Sequence, residues 1–330
     1  MAMTDRTNPT RANSSDSLYS IMEFMKDFPD DATCLEWLWR NRYSEDGIHA
    51  NCPRCECQRE FRRYETKQRR QSWTCIACGL HIHPTAGTIY HKSSTSLQLW
   101  FYAMYLMTST RCGISAKQIE RELGVTYKTA WRMCKLIRHE LMEQDTTKLN
   151  GQVEADETFV GGKPRAGRKL THAEHMERYA LVAGVVERGG RVIATVQQHR
   201  VDTRLHVAEF VLPSAVLFTD EYGAYNAVGE RFQRHHRINH SEKIYVSGDV
   251  HTQTIEGFWS LVKNGIRGVY HAVSHKHLQG YLNEYAWRYN HRHDIEPMFM
   301  QIIENSTREL RSGPVPTIPS RPRGLSYRPV

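Results

Sequence analysis

Apolar residues recur at three- and four-residue intervals through Ser17–Met25 and again through Asp31–Arg40, the period of a helix with one buried face. The same period returns from Ser96 to about Gln144. After a break at Thr146–Gly151 the pattern changes to apolar, β-branched runs at Gln152–Val160, Tyr179–Glu187, Arg191–Gln198 and Ala215–Asp220, which predict strands. Thr203–Leu212 reads as a helix between the third and fourth of these runs. Within Val185–Ile193 the pair Gly189 and Gly190 supplies the positive φ of a tight turn, so a hairpin is expected. Two further helices are predicted around Thr252–Lys263 and His275–Asn290, and there is no internal repeat.

Punctuation inside the helical region matters. Ile114–Gly124 reads as a short helix ending at Gly124, and Val125–Arg138 starts a second one with Thr126 as its N-cap. Two helices joined by a short Gly-containing turn form the helix-turn-helix signature, in which the second helix enters the DNA major groove. Tyr127, Lys128, Thr129 and Arg132 are then the candidate base readers, while Ala130, Trp131, Cys134 and Ile137 face the core. An ordinary helical hairpin is the alternative.

Composition points the same way. The chain of 330 residues has a net charge of +8, a pI near 9.0 and 18 histidines, which favours a polyanionic partner such as nucleic acid. No apolar run approaches the roughly 20 residues of a membrane span. Met1–Ser17 is polar, without an apolar signal core, and is expected to be a disordered leader. The region from Ser312, with Pro314, Pro316, Pro319, Pro322 and Pro329, reads as an extended tail. A cytoplasmic setting follows from these features and from cysteines clustered in metal-binding pairs rather than spread as a disulfide framework.

Cys52-Pro-Arg-Cys55 is followed after 19 residues by Cys75-Ile-Ala-Cys78-Gly79. Two such knuckles at this spacing suit a four-thiolate zinc ribbon, with Cys57, His81 and His83 as substitute ligands. Arg54, Arg59, Arg62, Arg63, Lys67, Arg69 and Arg70 give this stretch a basic surface suited to nucleic acid. Cys34, Cys112 and Cys134 fall in helical text and are expected in the core.

Asp156 and Asp220 each lie in or at the end of an apolar strand-like run, where a solvated acid is not expected. Glu256 follows Asp220 after 35 residues, in helical text, with Lys263 seven residues further on the same face. Alternation places Glu154 on the face of Asp156 and Glu157 on the other. Such carboxylates can hold two divalent ions for phosphodiester chemistry.

The order of ribbon, helix pair and acids resembles bacterial insertion-sequence transposases with a DDE integrase core, closest to the group with an ISXO-type transposase domain. The phrases that carry the resemblance are Val153–Lys163, Thr219–Tyr225, Thr254–Ile266 and Tyr270–Leu278, and it extends from about Asp31 to Asn290. It implies a multidomain α/β chain: an N-terminal zinc ribbon and helix-turn-helix, then an RNase H-like core with a mixed five-stranded sheet. The expected divisions are a leader at 1–17, a helical segment at 18–50, the ribbon at 51–92, the helix-turn-helix region at 93–145, the catalytic domain at 151–304 and the tail at 305–330.

The resemblance further implies Mg2+ or Mn2+ held by Asp156, Asp220 and Glu256, with Lys263 on a phosphate. Gln253 and Asp249 compete with Glu256 for the third position. The partners implied are the element's terminal inverted repeats and target DNA, bound by a homodimer or larger synaptic assembly, nucleoid-associated while bound. The implied activity is end cleavage and strand transfer. Rival expectations are a nuclease of the same fold that does not join ends, and a DNA-binding regulator with an inactive core.

Overall fold

The computed structural model describes residues 18–65, 71–161, 179–198, 202–220, 225, 230–237 and 251–310. The expected leader and Pro-rich tail, Lys67, Arg69, Arg70 and Asp249 lie outside the described residues. The chain divides into two compact units. One draws on residues up to Arg111, on Ala116–Leu141 and on the segment from Asp294; the other on Cys112–Ser115 and Met142–His293.

In the first unit, helix α1 (Ile21–Asp27) starts at a reciprocal cap. Ser20 accepts from the Glu23 amide while the Glu23 carboxylate accepts from the Ser20 amide. Helix α2 (Asp31–Arg42) is capped by Asp30, which takes the Thr33 amide at 2.7 Å. Four antiparallel strands follow in sequential order: β1 (His49–Cys52), β2 (Cys57–Glu65), β3 (Gln71–Cys75) and β4 (His81–Ile82). Trp39 of α2 stacks on Trp73 of β3 with ring centres 4.8 Å apart, which gives this small sheet an apolar anchor.

Helices α3 (Leu97–Ser109), α4 (Ala116–Leu123) and α5 (Tyr127–Leu136) come next, and a π-helical turn, Ile137–Leu141, continues α5. The later helix α9 (Met298–Asn305) also belongs here, since Phe299 packs on Phe24, Phe28 and Tyr105. The hydrophobic pattern had not singled it out, although Met298, Phe299, Ile302 and Ile303 lie at helical spacing.

The second unit is built on a mixed five-stranded sheet. Strands β5 (Gln152–Gly161), β6 (Tyr179–Glu187) and β7 (Val192–Gln197) form an antiparallel meander, with Gly189 at φ +74° in the β6–β7 turn. Strands β8 (Val216–Thr219) and β9 (Arg234–Arg237) add in parallel on the other side, giving the order β7-β6-β5-β8-β9. The charged edge strand β9 has no apolar residue and went unread in the sequence.

Helices cover both faces. On one, Val182, Val186 and Ala194 pack against Ile255, Phe258 and Val262 of α7 (Gln253–Gly265) and Leu282 of α8 (Leu278–Asn290). On the other, Val153, Ala155, Val185 and Leu217 pack against Val207 and Phe210 of α6 (Asp202–Phe210). Burying each such side chain contributes about 1.5–3 kcal/mol, so α7 is held by its apolar stripe and its opposite face is left for chemistry. Among the described residues no helix is long and apolar enough to cross a membrane.

Candidate active site and metal-binding cysteines

The two knuckles of the small sheet close in the same way. The Glu56 amide donates to the Cys52 carbonyl at 2.8 Å and the Gly79 amide to the Cys75 carbonyl at 2.9 Å, with Glu56 and Gly79 both at positive φ. The Sγ atoms of Cys52, Cys55, Cys75 and Cys78 lie within 4.8 Å of one another, and Cys52 and Cys78 are 3.5 Å apart. A tetrahedral zinc ion with bonds of ~2.3 Å needs S–S edges of about 3.8 Å, so the quartet fits the ion. Burial opposes ionisation of Cys52, but the amides of Cys55 and Arg54 outweigh it and pull the thiol below its ordinary value. Cys55 is pushed up by its bond to Cys78, by burial and by Cys52, so the four sulfurs share protons in the absence of a metal charge.

The expected substitutes stand apart from the quartet. Cys57 is exposed, and His81 is bonded to the hydroxyls of Ser72 and Thr74 at 3.1 and 2.9 Å. His83 Nδ1 lies 3.3 Å from the Gln71 carbonyl oxygen. Cys34 and Cys134 are buried in helices as expected. Cys112 is not: it is exposed, in the loop between α3 and α4, because Ser109 already ends α3.

Gly124, at φ +64°, ends α4, and the Thr126 hydroxyl accepts from the Thr129 amide at 3.3 Å to start α5. Ile119, Leu123, Ala130, Met133, Cys134 and Ile137 are buried. Tyr127, Lys128 and Arg132 are exposed and Thr129 is half-buried. Arg132 turns back on its own unit, with its guanidinium over the Trp100 ring and Nη2 donating to Ser93 Oγ at 3.2 Å. Trp131, expected in the core, is only half-buried and carries Lys135 against its ring.

Parallel pairing of β5 with β8 sets Ala155 opposite Thr219, so Asp220, the first residue after β8, comes level with Asp156 in the middle of β5. Asp156 is largely buried and its carboxyl is pushed up to about 7, first by burial and then by the charges of Asp220 and Glu157. The Trp259 indole donates to Asp156 Oδ2 at 3.0 Å. Glu157 points to the other face, where it accepts from the buried Tyr225 hydroxyl at 2.7 Å. Burial, then Glu157, holds that phenol well above its ordinary value, with Asp156 and Asp220 adding to the effect. Glu157 is therefore electrostatically part of the acidic group despite its opposite side.

Glu256 is exposed in the first turn of α7 and takes the Thr252 hydroxyl at 3.1 Å. Lys263 is half-buried two turns on; burial lowers its ammonium, Asp156 opposes that, and Arg267 adds to it. Gln253 is exposed at the start of the helix. Among the described residues, only the cysteine quartet brings three or more ligand atoms within 4.8 Å of one another. Asp156 and Asp220 are neighbours, while Glu256 is tied to its own helix start. Trp259 and Thr252 each donate to one of these carboxylates.

Glu154 has a different task. It is fully buried, takes Arg188 Nε at 2.8 Å, and accepts from the amides of Thr254 and Ile255 at 2.8 and 3.0 Å and from the Thr254 hydroxyl at 3.0 Å. A carboxylate on those amides caps the N-terminus of α7 and pins it to β5. The roles of Glu154, Trp259 and Tyr225 were not read from the sequence. An acid inside the apolar phrase Val153-Glu154-Ala155 was the available signal, because a buried acid needs partners.

Residues 148–290 match the family model of the ISXO2-like transposase domain. A protein of transposable element ISH50 from Halobacterium salinarum is 29% identical over 268 residues, 76% of this chain and 86% of that protein. A transposase-like protein of Haemophilus influenzae is 27% identical over 84 residues, 26% of this chain and 67% of its own length. A chain from the simian T-cell lymphotropic virus intasome in complex with PP2A regulatory subunit B56 gamma aligns over 68% of this chain and 80% of that one. Its TM-score of 0.31 and 16% identity are too low to bear on the fold. Residues 148–290, which include the five-stranded sheet, are thus similar to the insertion-sequence transposases of the ISXO type, and the likeness to the ISH50 protein extends over three quarters of the chain.

Proposed function

We propose that the protein cuts DNA at the ends of an insertion sequence and transfers the freed strand to target DNA. The observation that carries this reading is the pair Asp156 and Asp220, level with each other where β8 ends beside the middle of β5, with Asp156 half-buried and charged only at a cost. Such a pair gains most from a divalent cation. The strand order and the helices on both faces support an RNase H-like core.

Asp156 and Asp220, with Glu256 now on the Thr252 hydroxyl, would hold Mg2+ or Mn2+. Such ions would activate a water or 3′-hydroxyl and stabilise the leaving oxygen. Lys263 binds a phosphate oxygen beside Asp156 and keeps the strand in place. Trp259 holds the Asp156 carboxylate in one orientation and closes that side of the site to water. The zinc-bound knuckles, with exposed Arg59, Arg62 and Arg63, contact the DNA backbone. In a helix-turn-helix reading, Tyr127, Lys128 and Thr129 lead α5 into the groove and Arg132 joins them by leaving Trp100. Two ends must be joined together, so a dimer or larger assembly is the working form.

The test is Asp156→Asn with DNA ends supplied intact and pre-cut. It should abolish cleavage of the first and joining of the second while end binding persists. Wild-type protein that cuts but never joins pre-cut ends would reduce the activity to that of a nuclease. Retained catalysis in the variant would refute the site.

A further inference from the structure

The face of α7 that carries Lys263 continues beyond the helix. Arg267 lies four residues on, in the π-helical turn Ile266–Tyr270, and His271 four residues after that. Arg267 is near enough to act on the Lys263 ammonium, which itself senses Asp156. This row of basic groups leads from the acids to a cavity of about 300 Å³ in the same unit. Val160 and Gly161, at the end of β5, form one wall; Ile266, Arg267, His271 and Ala272 form the other. Along β5, Val160 is four residues from Asp156, about 13 Å, or a few nucleotide steps of a DNA strand.

The backbone at His271 is under strain. Its φ of 59° and ψ of −46°, with the Ala272 amide donating to the Tyr270 carbonyl at 2.7 Å, describe the rare γ-turn of positive φ. The surroundings hold it there. The Tyr270 hydroxyl donates to the buried Glu284 carboxylate at 3.1 Å, and the Tyr270 ring meets Tyr281 edge-on with centres 4.6 Å apart. Strain fixed in this way at a cavity wall is the mark of a ligand-gripping segment rather than of a plain connection.

We propose that this cavity receives one unstacked nucleotide of the DNA strand lying at the acids, with its base against Val160, Ile266 and Ala272 and its phosphate on Arg267. An apolar wall suits the face of a base, a guanidinium suits a phosphate, and the imidazole of His271 can stack or hydrogen-bond at the rim. This extends the phosphodiester reading of the acidic site and rests on it.

The test uses the full chain and duplexes bearing the terminal sequence of its element, with 2-aminopurine at successive positions around the cut. Emission is read at saturating protein, so affinity changes do not enter. One position within a few nucleotides of the cut should brighten several-fold. Filling the cavity by Ala272→Trp, at an exposed position, should remove that rise. So should His271→Gly, which suits the positive φ and keeps the turn. An abasic nucleotide at the bright position should bind about fivefold tighter, because no stacking is broken.

Quenched probes at every position in the bound complex, or unchanged emission in both variants, would overturn the proposal. Cleavage of unmodified ends is measured in parallel. Cutting without emission refutes the cavity alone, and emission without cutting refutes the catalytic reading alone.

Discussion

The indole of Trp259 donates to Asp156 across 3.0 Å, and it reaches that oxygen because Gly184, the cross-strand partner of Asp156, has no side chain. A Cβ on Gly184 would lie 2.6 Å from the indole ring. The ring therefore rests on bare backbone and points its only polar atom at the acid.

Gly184→Ala should displace the ring, and Trp259→Phe should keep the packing while losing the donor. A hydrogen bond to a charged group contributes ~1.5–3 kcal/mol, so each variant should raise the Mg2+ concentration for half-maximal cleavage about 10-fold or more. A metal titration of end cleavage measures this. Wild-type metal dependence in both variants would remove Trp259 from the site.

Two groups, Asp156 and the buried His206, set opposite pH trends in the metal-free protein. Asp156 is raised to about 7, so its protonated form favours the fold, and that contribution fades as pH rises towards 7. His206, wholly buried beside Thr195 and the Ile193 carbonyl, is lowered to about 4. It favours the fold above the ordinary histidine range and loses that contribution as pH falls towards 4. Between about 4 and 6.5 the two trends offset each other. In chelator, thermal stability should be nearly flat there and fall as pH passes from 6.5 through 7. Asp156→Asn should expose the histidine trend as a stability that rises with pH from 4 to 6.5.

The cysteine quartet should bind one zinc ion per chain and lose its fold with it, since so small a sheet depends on its metal. Trp39 and Trp73 report this directly through their stack. A strong chelator, or Cys75→Ser, should release the metal and change the tryptophan emission while DNA affinity falls. Stable emission after metal loss would show that the sheet stands without the ion.

Glu154 and Glu256 should give opposite phenotypes. Removing Glu154 leaves the Arg188 guanidinium, 15% exposed, without its buried partner, a loss of about 3–5 kcal/mol. Glu154→Ala should lower the melting temperature sharply. Glu256→Gln, on an exposed face, should change stability by less than ~0.5 kcal/mol and abolish cleavage. Melting curves and a cleavage assay on the two proteins decide it.

How much of this was legible depended on whether the physics was local. The strands with β-branched runs, the Thr126 cap and the cysteine knuckles could be read, because each is written in a few adjacent residues. Strand β9 could not, since Arg234-His235-His236-Arg237 has no apolar alternation, and the contacts of His235 with Thr219 and His236 with Phe218 exist only once β9 has paired with β8. Among Glu154, Asp156 and Glu157, alternation assigned faces but not tasks. Those depend on Arg188, Trp259 and Tyr225, which are brought in by tertiary packing from 34, 103 and 68 residues away.

The hold of Glu154 on the first amides of α7 means that the helix takes its position from β5 and not from the chain that leads into it. A movement of β5 would therefore carry α7 with it as one lever, so Lys263 keeps its place beside Asp156.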